Sequence, residues 1–568
     1  MPRTSHLLPL FTALLALGAA RPMHAQTTTT QPRAAMSRTI AVIPDSLHPY
    51  HPGIDVTNYR FQITLPETGK EIRGDVTITL RRAVTATQLQ LDLRDMQVDA
   101  VTIGGTPRNF TRDSTTLRIP LRTADGANVR VRVQWHGIPT DGLIITEPAT
   151  GTEDRGWRAF GDNWPNRARH WLPTVDHPSD KATVTWDISA PSALTVVANG
   201  IQTNRATAAG RTTWRFAMRQ PIPTYLMVLG AAAMQETTLG KTACGSGIDG
   251  ACVPQTVWTF PQDAAYAPGP FAEADRIVRF FARTAGSFPY ERLAHLQSST
   301  RFGGMENATA IFYSDNAFRK RDVGISLIAH ETAHQWFGNA VSPRRWEDVW
   351  LSEGFATYFA ALYTKESRGD SAFRADLERI RGRVLSAKEV RERPVVDTVG
   401  ARTPLSLLNR NSYEKGGFFL RLLHAELGDS TFFRGIREYQ RTYRHGTART
   451  ANFRQIMERH AKRSLDTLFT QWLHRPGFAE LTIRHTVDPT RNVLVLHVTQ
   501  GSAVPYRLRL PIAITDSRGS RLKLTTTVQA VPTQEILLPL GALSDAQTVQ
   551  FDPDVVILGT ITTAQPSR

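Results

Sequence analysis

The chain has 568 residues and a mass of 63.2 kDa, which is too long for one hydrophobic core and predicts about three or four domains. Its composition, 41% hydrophobic and 21% charged, is that of a globular protein and excludes a disordered or fibrous chain. The net charge is +16, but Lys and Arg are scattered along the sequence, so we expect a solvated, Arg-rich surface and no nucleic-acid partner.

The N-terminus has the pattern of a secretory signal: a positive start, an apolar run from Leu7 to Ala20, and a small residue at Ala25. We predict a signal peptide over residues 1–25, cleaved after Ala25 or Ala20, and a flexible leader over residues 26–45. No later stretch reaches the roughly 20 apolar residues of a membrane helix. The mature protein is therefore expected to be exported, periplasmic or secreted, without a membrane span, although an uncut signal could tether it.

Residues 46–262 are predicted to form an N-terminal antiparallel β-domain. Segments such as YRFQITL, DVTITL and VRVRVQW alternate apolar and polar residues, with Gly, Pro and Asp between them. Near the end of this region, Cys244 and Cys252 flank a Gly-rich segment that lets the chain turn back on itself. A Cys244–Cys252 disulfide is expected there and agrees with export, while two incidental thiols are the alternative.

Helical periodicity begins after Pro270 and defines a mainly helical domain over residues 263–477. A first helix is predicted to end at Gly286, an apolar helix to stop at Gly428, and ANFRQIMERHAKRSLDTLFTQWL to be helical. Strand patterns return at Leu481 and predict a C-terminal β-sandwich over residues 478–562. The fold class is therefore α+β and multidomain.

The helical domain contains an H-E-x-x-H motif, whose four-residue spacing places His330 and His334 on one face of a helix. Two imidazoles can hold a zinc ion, and a catalytic site needs a third protein ligand and an open position. Glu353 supplies the third ligand if the first helix ends near Gly338 and Asn339 and a second begins around Trp350. One zinc per chain is predicted.

Glu331, beside the first ligand, would not bind the metal but would act as the general base on its water. A bare H-E-x-x-H motif also occurs by chance on solvated helices. The small and apolar residues from Val323 to Ala333 favour a buried helix instead, where unpartnered histidines are costly.

HETAHQWFGN followed by WLSEGFATY resembles the zinc aminopeptidases related to aminopeptidase N, as do a G-x-M-E-N segment before these motifs and a Y-E-K-G segment after them. The resemblance extends from about Tyr50 to Gly559. It implies an N-terminal saddle-like β-domain, a thermolysin-like catalytic domain, and a short form without the C-terminal helical domain of larger members. The A-R-x-x-x-P-x-x-D motif from Ala168 onward and the Lys181 that follows it also match, and we interpret them as structural.

The same resemblance implies functional residues. Tyr413 of the Y-E-K-G segment would donate a hydrogen bond to the transition-state oxyanion, in addition to the catalytic role of Glu331. The G-x-M-E-N segment would bind the substrate, with Glu306 holding the free N-terminal amine. The members of that segment are Gly303, Gly304, Met305, Glu306 and Asn307.

Two departures from the family pattern stand out. The family usually has a Gln before the A-R motif that helps to bind the substrate amine, and here Asp162 or Asn163 is nearest. Ser352 replaces the usual Asn before the zinc glutamate. Glu347 or Asp348 could orient a ligand imidazole.

The leading hypothesis is an exported zinc aminopeptidase that acts on peptides with a free N-terminus. A thermolysin-type endopeptidase is one alternative, although such sites have one more residue before the third ligand and lack a G-x-M-E-N strand. The other is a binding protein on an inactivated peptidase fold, although such proteins typically lose the base or a ligand, and both remain here.

Overall fold

The computed structural model describes residues 50–148, 155–241, 245–399, 403–543 and 545–564. The part of the chain from Tyr50 onward forms one compact unit. The signal peptide, the leader and Cys244 lie outside the described residues, so those predictions and the Cys244–Cys252 disulfide stay predictions. Among the described helices, none has the length and hydropathy of a membrane span.

The N-terminal region is built from strands whose burial alternates along the chain, as the sequence pattern predicts. In chain order they are β1 Ile54–Thr64, β2 Ile72–Arg82, β3 Gln88–Asp92, β4 Gln97–Ile103, β5 Thr106–Pro107, β6 Thr111–Arg112, β7 Thr116–Pro120, β8 Asn128–Gly137, β9 Leu143–Thr146, β10 Arg158–Gly161, β11 Lys181–Pro191, β12 Thr195–Ala198, β13 Ile201–Ala208, β14 Arg211–Pro223 and β15 Leu229–Ala232.

The largest sheet of this region has the order β13-β14-β11-β1-β2-β8-β4-β5, and β12-β15-β10-β9 and β3-β7-β6 form smaller sheets. The pairs of the largest sheet are antiparallel except β1 with β11, which run parallel and are separated in the chain by strands β2 to β10. Trp135, Trp171 and Trp186 fill the core beside this sheet. The prediction of a β-rich N-terminal region is confirmed.

The helical region follows and contains a five-stranded sheet and a two-stranded sheet. Its strands are β16 Gln235–Lys241, β17 Pro254–Thr259, β18 Leu293–Ser298, β19 Gly304–Met305, β20 Ala310–Ser314, β21 Val341–Pro343 and β22 Gly446–Ala448. Its helices are α1 Ala274–Ala285, α2 Asp315–Arg319, α3 Ile325–Ala333, α4 Trp350–Ser386, α5 Lys388–Glu392, α6 Gly416–Tyr443, α7 Thr450–Ala461 and α8 Asp466–Leu473.

The sheet β16-β17-β18-β20-β19 crosses the boundary that we predicted at residue 262. The strand β17 pairs in parallel with β18, so the last strands assigned to the N-terminal domain belong to the sheet that carries the G-x-M-E-N segment. A parallel pair requires a crossover, here α1, and this hides the pairing from local sequence patterns. The domain boundaries themselves stay predictions.

Glycines and one left-handed residue set the helix breaks. α1 ends at Gly286 as predicted, and Gly428 interrupts α6 with a φ of 72°. Gly369 interrupts α4 in the same way. Lys462 adopts a left-handed conformation that separates α7 from α8, where one continuous helical segment was expected.

The C-terminal region forms two sheets, β27-β24-β23-β29 and β26-β25-β28, which bear out the predicted all-β segment. Its strands are β23 Ala479–Asp488, β24 Val493–Gln500, β25 Leu508–Thr515, β26 Arg521–Val528, β27 Thr533–Pro539, β28 Thr548–Phe551 and β29 Gly559–Ala564. β24 and β25 bury alternate residues, the pattern of a strand with one face in a core.

Lys181, at the start of β11, connects the N-terminal region to the catalytic region. Its ammonium donates hydrogen bonds to the carbonyls of Asn339 (2.9 Å), Ala340 (3.1 Å) and Gly446 (3.1 Å). These carbonyls belong to the chain reversal after α3 and to β22. The structural interpretation of this motif lysine is therefore supported by its contacts.

We expect Lys181→Met to lower the free energy of unfolding by about 1 to 3 kcal/mol, because it leaves buried carbonyls without a donor. Chemical denaturation measures the effect, and Lys70→Met is the control, since Lys70 is exposed. Equal stability of the two variants would contradict the role assigned to Lys181.

Candidate metal centre and active site

Two helices bring the predicted metal ligands together. His330 lies in the last turn of α3, His334 follows its end in helical conformation, and Glu353 lies in the first turn of α4. The two imidazole rings are 4.8 Å apart between centroids. His334 and Glu353 are buried, and His330 is partly exposed. The second helix begins at Trp350, as the sequence indicates.

The first helix ends earlier than predicted, at Ala333 rather than near Gly338 and Asn339. Beyond Ala333 the backbone hydrogen bonds lose the regular spacing of an α-helix, and the amide of Asn339 donates to the carbonyl of His334, five residues back, at 3.1 Å. Gly338, with a φ of 111°, then reverses the chain. The reversal occurs where the sequence placed it, but through a widened turn.

The three ligand atoms have the spacing of a zinc site. His330 Nε2 and His334 Nε2 are 3.1 Å apart, and they lie 3.5 Å and 3.3 Å from Glu353 Oε2. Ligand bonds of 2.0 to 2.1 Å in a tetrahedron place neighbouring donors about 3.3 Å apart. Three protein donors leave one position for water or substrate, so these residues fit a catalytic zinc.

The surroundings of His334 Nδ1 also favour metal binding. This nitrogen lies 3.0 Å from the carbonyl of Phe337 and 3.0 Å from Ser352 Oγ. A proton on Nδ1 donated to that carbonyl leaves the lone pair of Nε2 free for a metal. Asp348, predicted as a candidate to orient an imidazole, instead accepts hydrogen bonds from the amide and hydroxyl of Thr450. Neither it nor Glu347 is among the described partners of His334.

A second group of possible metal ligands shares His334 and includes Glu306 and Glu331, with donor atoms within 4.8 Å of one another. Burial raises the pKa of Glu306 to about 7 and raises that of Glu331 well above its usual range. Burial opposes ionisation of Glu353 as well, but the neighbouring His334 and His330 lower its pKa to about 2. The carboxylate of Glu353 is thus the one that the imidazoles stabilise in the charged form.

The G-x-M-E-N segment lies beside α3, the helix that carries His330 and Glu331. Gly304 and Met305 form β19, which pairs with β20, and Glu306 follows directly. Glu306 is buried, and its Oε1 has no hydrogen-bond partner among the described residues. Asn307 is fully buried and is not part of the cavity lining, unlike the four residues before it.

Two residues that sequence reasoning left without a role hold this segment against the metal centre. The side-chain amides of Gln335 and Asn339 donate to the backbone carbonyl of Glu306, at 3.0 Å and 2.7 Å. Both stand in the HETAHQWFGN motif, which is the signal that could have identified them. They couple the position of the Glu306 backbone to the turn that carries His334.

Tyr413 lies in the π-helical turn Asn411–Lys415 that precedes α6. Its ring stacks nearly parallel to that of His330, with centroids 6.1 Å apart. Burial and the adjacent carboxylate of Glu353 raise the pKa of Tyr413 well above its usual range, so the phenol stays protonated and can donate a hydrogen bond.

Close packing of α4 against α6 sets the positions of Glu353 and Tyr413. A Cβ placed on Gly354 would lie 2.8 Å from the carbonyl carbon of Gly416, so α4 and α6 cross almost in backbone contact. Gly354 follows Glu353, and Gly416 begins the helix after Tyr413. The glycines of the two sequence motifs therefore bring the third ligand and the tyrosine to the same place.

These residues line a cavity of about 520 Å³, which is of the size that holds a small organic ligand or a few peptide residues. The lining includes Trp164, Phe302 and the segment 303–306, together with His330, Glu331, His334, Glu353 and Tyr413.

The family models agree with this architecture. The peptidase family M1 domain matches residues 272–472, and the peptidase M1 N-terminal domain matches residues 56–226. The chain belongs to peptidase family M1.

Curated relatives in family M1 include the leukotriene A-4 hydrolase of Xenopus laevis, which is 24% identical over 74% of this chain and 72% of its own. The glutamyl aminopeptidase of Rattus norvegicus is 26% identical over 71% of this chain, and the alanine/arginine aminopeptidase of Saccharomyces cerevisiae is 24% identical over 76%. The chain spans only 44% and 52% of these two aminopeptidases.

Solved structures give the same family. The M1 zinc metallopeptidase of Deinococcus radiodurans is 25% identical, with a TM-score of 0.64 over 74% of this chain and 94% of its own. A mutant of that enzyme bound to a Tyr-Ser-Ala substrate has a TM-score of 0.65 at 25% identity and covers 75% of this chain and 95% of its own. These solved M1 enzymes are named as zinc metallopeptidases. Zinc is also the metal that the ligand spacing of this chain fits.

The structure clarifies the departure from the M1 pattern at Asp162 and Asn163. Asn163 is used structurally, since it donates to the carbonyl of Met227 at 2.7 Å and accepts from the Trp171 indole at 2.8 Å. Asp162 accepts a hydrogen bond from Arg167 at 2.9 Å. Neither Asp162 nor Asn163 is part of the described cavity lining, to which the nearby Trp164 contributes instead.

Gly304 shows why this M1 segment needs a glycine. A Cβ at this position would lie 2.3 Å from Glu331 Oε1, so an added methyl group displaces the carboxylate. We expect Gly304→Ala to lower kcat by about 100-fold with zinc retained, because a shift of about 1 Å in a catalytic group costs that much. Steady-state kinetics and metal analysis measure both quantities.

Gly303→Ala is the matched control for this prediction. A Cβ there meets no atom within 4 Å, so its effect should be much smaller. Equal losses in the two variants would mean that the segment is sensitive to any side chain and not to contact with Glu331.

Proposed function

We propose that this protein is a zinc aminopeptidase that hydrolyses the N-terminal residue from peptides. The observation that carries the proposal is Glu306, a buried carboxylate whose Oε1 has no described partner and which has an oxygen within 4.8 Å of a ring nitrogen of His334. A free N-terminal ammonium would pair with it through a charge-assisted hydrogen bond. The peptide bond one residue away would then lie at the metal centre.

His330, His334 and Glu353 would hold the zinc, which when bound acts as a Lewis acid on the scissile carbonyl and lowers the pKa of a water. Glu331 accepts a proton from the attacking water and delivers it to the leaving amine. The Tyr413 phenol donates a hydrogen bond to the carbonyl oxygen as negative charge develops there. Glu306 keeps the substrate amine in place throughout.

The alternatives fit the site less well. An endopeptidase must accept an internal peptide bond, which would leave Glu306 buried and unpaired at a cost of several kcal/mol. An inactive binding protein has no need of a base, whereas Glu331 is kept beside the ligands. Free-amine peptides are therefore the substrates that this arrangement favours.

A panel of aminoacyl arylamides with free and N-acetylated amines tests the proposal. We expect the free-amine substrates to be cleaved at least about 100-fold faster in kcat/KM, because an acetylated amine leaves Glu306 unpaired. Glu306→Ala should remove most of this difference, and Glu67→Ala, at an exposed position, is the control. Equal rates on both substrate forms would move the protein to the endopeptidase class.

We also propose export, on the pattern of the first 25 residues. A charged start, the run from Leu7 to Ala20 and the small residue at Ala25 support it. The Cys244–Cys252 disulfide belongs to the same proposal, since such a bond persists in an oxidising compartment. N-terminal sequencing and non-reducing mass spectrometry of protein from the native host decide both points.

A further inference from the structure

The cavity continues beyond the metal centre along α4. Thr357, Ala360 and Ala361 line it with small side chains, four to eight residues after Glu353. At about 1.5 Å per residue, these positions lie about 6 to 12 Å from Glu353 along the helix axis. With the N-terminal residue held at Glu306, the rest of a peptide has to extend along other parts of the same cavity, and α4 provides one of its walls.

The second half of α4, after the break at Gly369, adds a polar and charged part to the cavity lining. Its members are Asp376, Arg379, Ile380 and Arg383. Their spacing of three and four residues places them on one helical face. Arg379 and Arg383 both line the cavity, and their side chains are about half exposed, at 45% and 48%, so neither guanidinium is fully covered by protein.

The charges here are unbalanced. Arg379 bonds Asp376 at 3.0 Å, while Arg383 and Arg410 share one oxygen of Glu414, at 3.3 Å and 2.5 Å. Among Asp376, Arg379, Arg383, Arg410 and Glu414, three guanidinium groups share two carboxylates, and Arg410 lies outside the described cavity lining. Each guanidinium has five N–H donors, and Arg379 and Arg383 use one nitrogen each in these bonds. One more carboxylate would balance the charge and pair with the remaining donors.

We infer that Arg379 and Arg383, here called the arginine pair, bind the C-terminal carboxylate of short peptide substrates. The cavity that holds both the metal ligands and the arginine pair has a volume of about 520 Å³, so only a short peptide can contact both. With the N-terminal residue at Glu306, we expect peptides of about three or four residues, at about 3.3 Å per residue, to engage both ends at once. The inference rests on the proposed aminopeptidase activity and adds a preference for free, short oligopeptides.

The test compares peptides of two to six residues with a free C-terminal carboxylate or a C-terminal amide. For three- and four-residue peptides we expect kcat/KM to be about 10-fold to 100-fold higher for the acid, the range of hydrogen bonds to charged groups. The preference should shrink in six-residue peptides, whose carboxylate passes beyond the arginine pair. The acid-to-amide ratio cancels any general change in activity.

Variants locate the effect. The double variant Arg379→Gln with Arg383→Gln should bring the acid-to-amide ratio to about one, and each single change should lower the ratio in part. Arg383→Lys should retain part of the preference for the acid, because lysine keeps the positive charge but lacks the paired N–H donors of the guanidinium. Arg374→Gln is the matched control, an exposed arginine of the same helix outside the cavity lining. If the double variant fails to fold, the single variants decide.

The outcomes separate this inference from the proposed function. Cleavage of arylamides and peptides with an acid-to-amide ratio near one, or a ratio unchanged in the variants, overturns the arginine anchor alone. Absence of cleavage of any free-amine substrate overturns the aminopeptidase itself. In that case, the affinities of the same peptide acids and amides for the Glu331→Gln protein, measured by calorimetry, still decide whether the arginine pair binds a carboxylate.

Discussion

Glu331→Gln is expected to lower kcat by about 100-fold or more while the protein keeps about one zinc per chain. Glutamine has the shape of glutamate but cannot take the proton of the attacking water. Glu331 is buried beside His330, and its pKa is raised by burial, which increases its basicity relative to an exposed carboxylate. Steady-state kinetics on an aminoacyl arylamide and metal analysis of the same sample measure the two effects.

The zinc content is the control that gives this result its meaning. A loss of activity together with zinc would show that Glu331 supports the metal and not the proton transfer. An active Glu331→Gln protein with zinc bound would remove Glu331 from the mechanism and leave another group as the base.

Glu353→Ala is expected to abolish zinc binding and activity together, whereas Glu306→Ala should keep the metal. His334 belongs to both candidate ligand groups, so these two carboxylates decide between them. Two imidazoles with one carboxylate suit zinc, while Glu306 and Glu331 place two buried carboxylates together and repel each other. Metal analysis after dialysis against a chelator compares the two variants.

Chelation of the parent protein should likewise abolish hydrolysis, and added zinc should restore it. Zinc lost from Glu306→Ala but kept in Glu353→Ala would reverse the assignment and place the metal on the segment that we propose binds the substrate amine.

Residues close in sequence account for most of what could be predicted about the site. His330 and His334 share a helical face because their spacing matches the helical repeat, and Gly338 reverses the chain as its conformational freedom allows. The start of α4 near Trp350 also follows from local signals. Tyr413 and Glu306 were identified by resemblance, since nothing in their own neighbourhoods indicates a shared cavity.

The misses have a common cause in contacts between distant segments. The early end of α3 at Ala333 accompanies contacts of Gln335 and Asn339 with Glu306, about 30 residues away. The carboxylate of Asp348 accepts hydrogen bonds from Thr450, which lies on a helix about 100 residues further along the chain. Such partners cannot be read from periodicity, because they depend on which elements the fold places side by side.

By itself, the sequence determined the order of the three regions, which are β-rich, then helical, then β-rich again. It also determined the spacing of the metal ligands and the family motifs. All of these arise from local periodicity and short spacings. Only the tertiary structure decided that Gly354 and Gly416 let α4 and α6 touch, so that Glu353 and Tyr413 meet. It alone decided that the second half of α4 returns to the same cavity with Arg379 and Arg383. The physical reason is that packing and charge balance depend on distances between segments far apart in the chain, which no local pattern encodes.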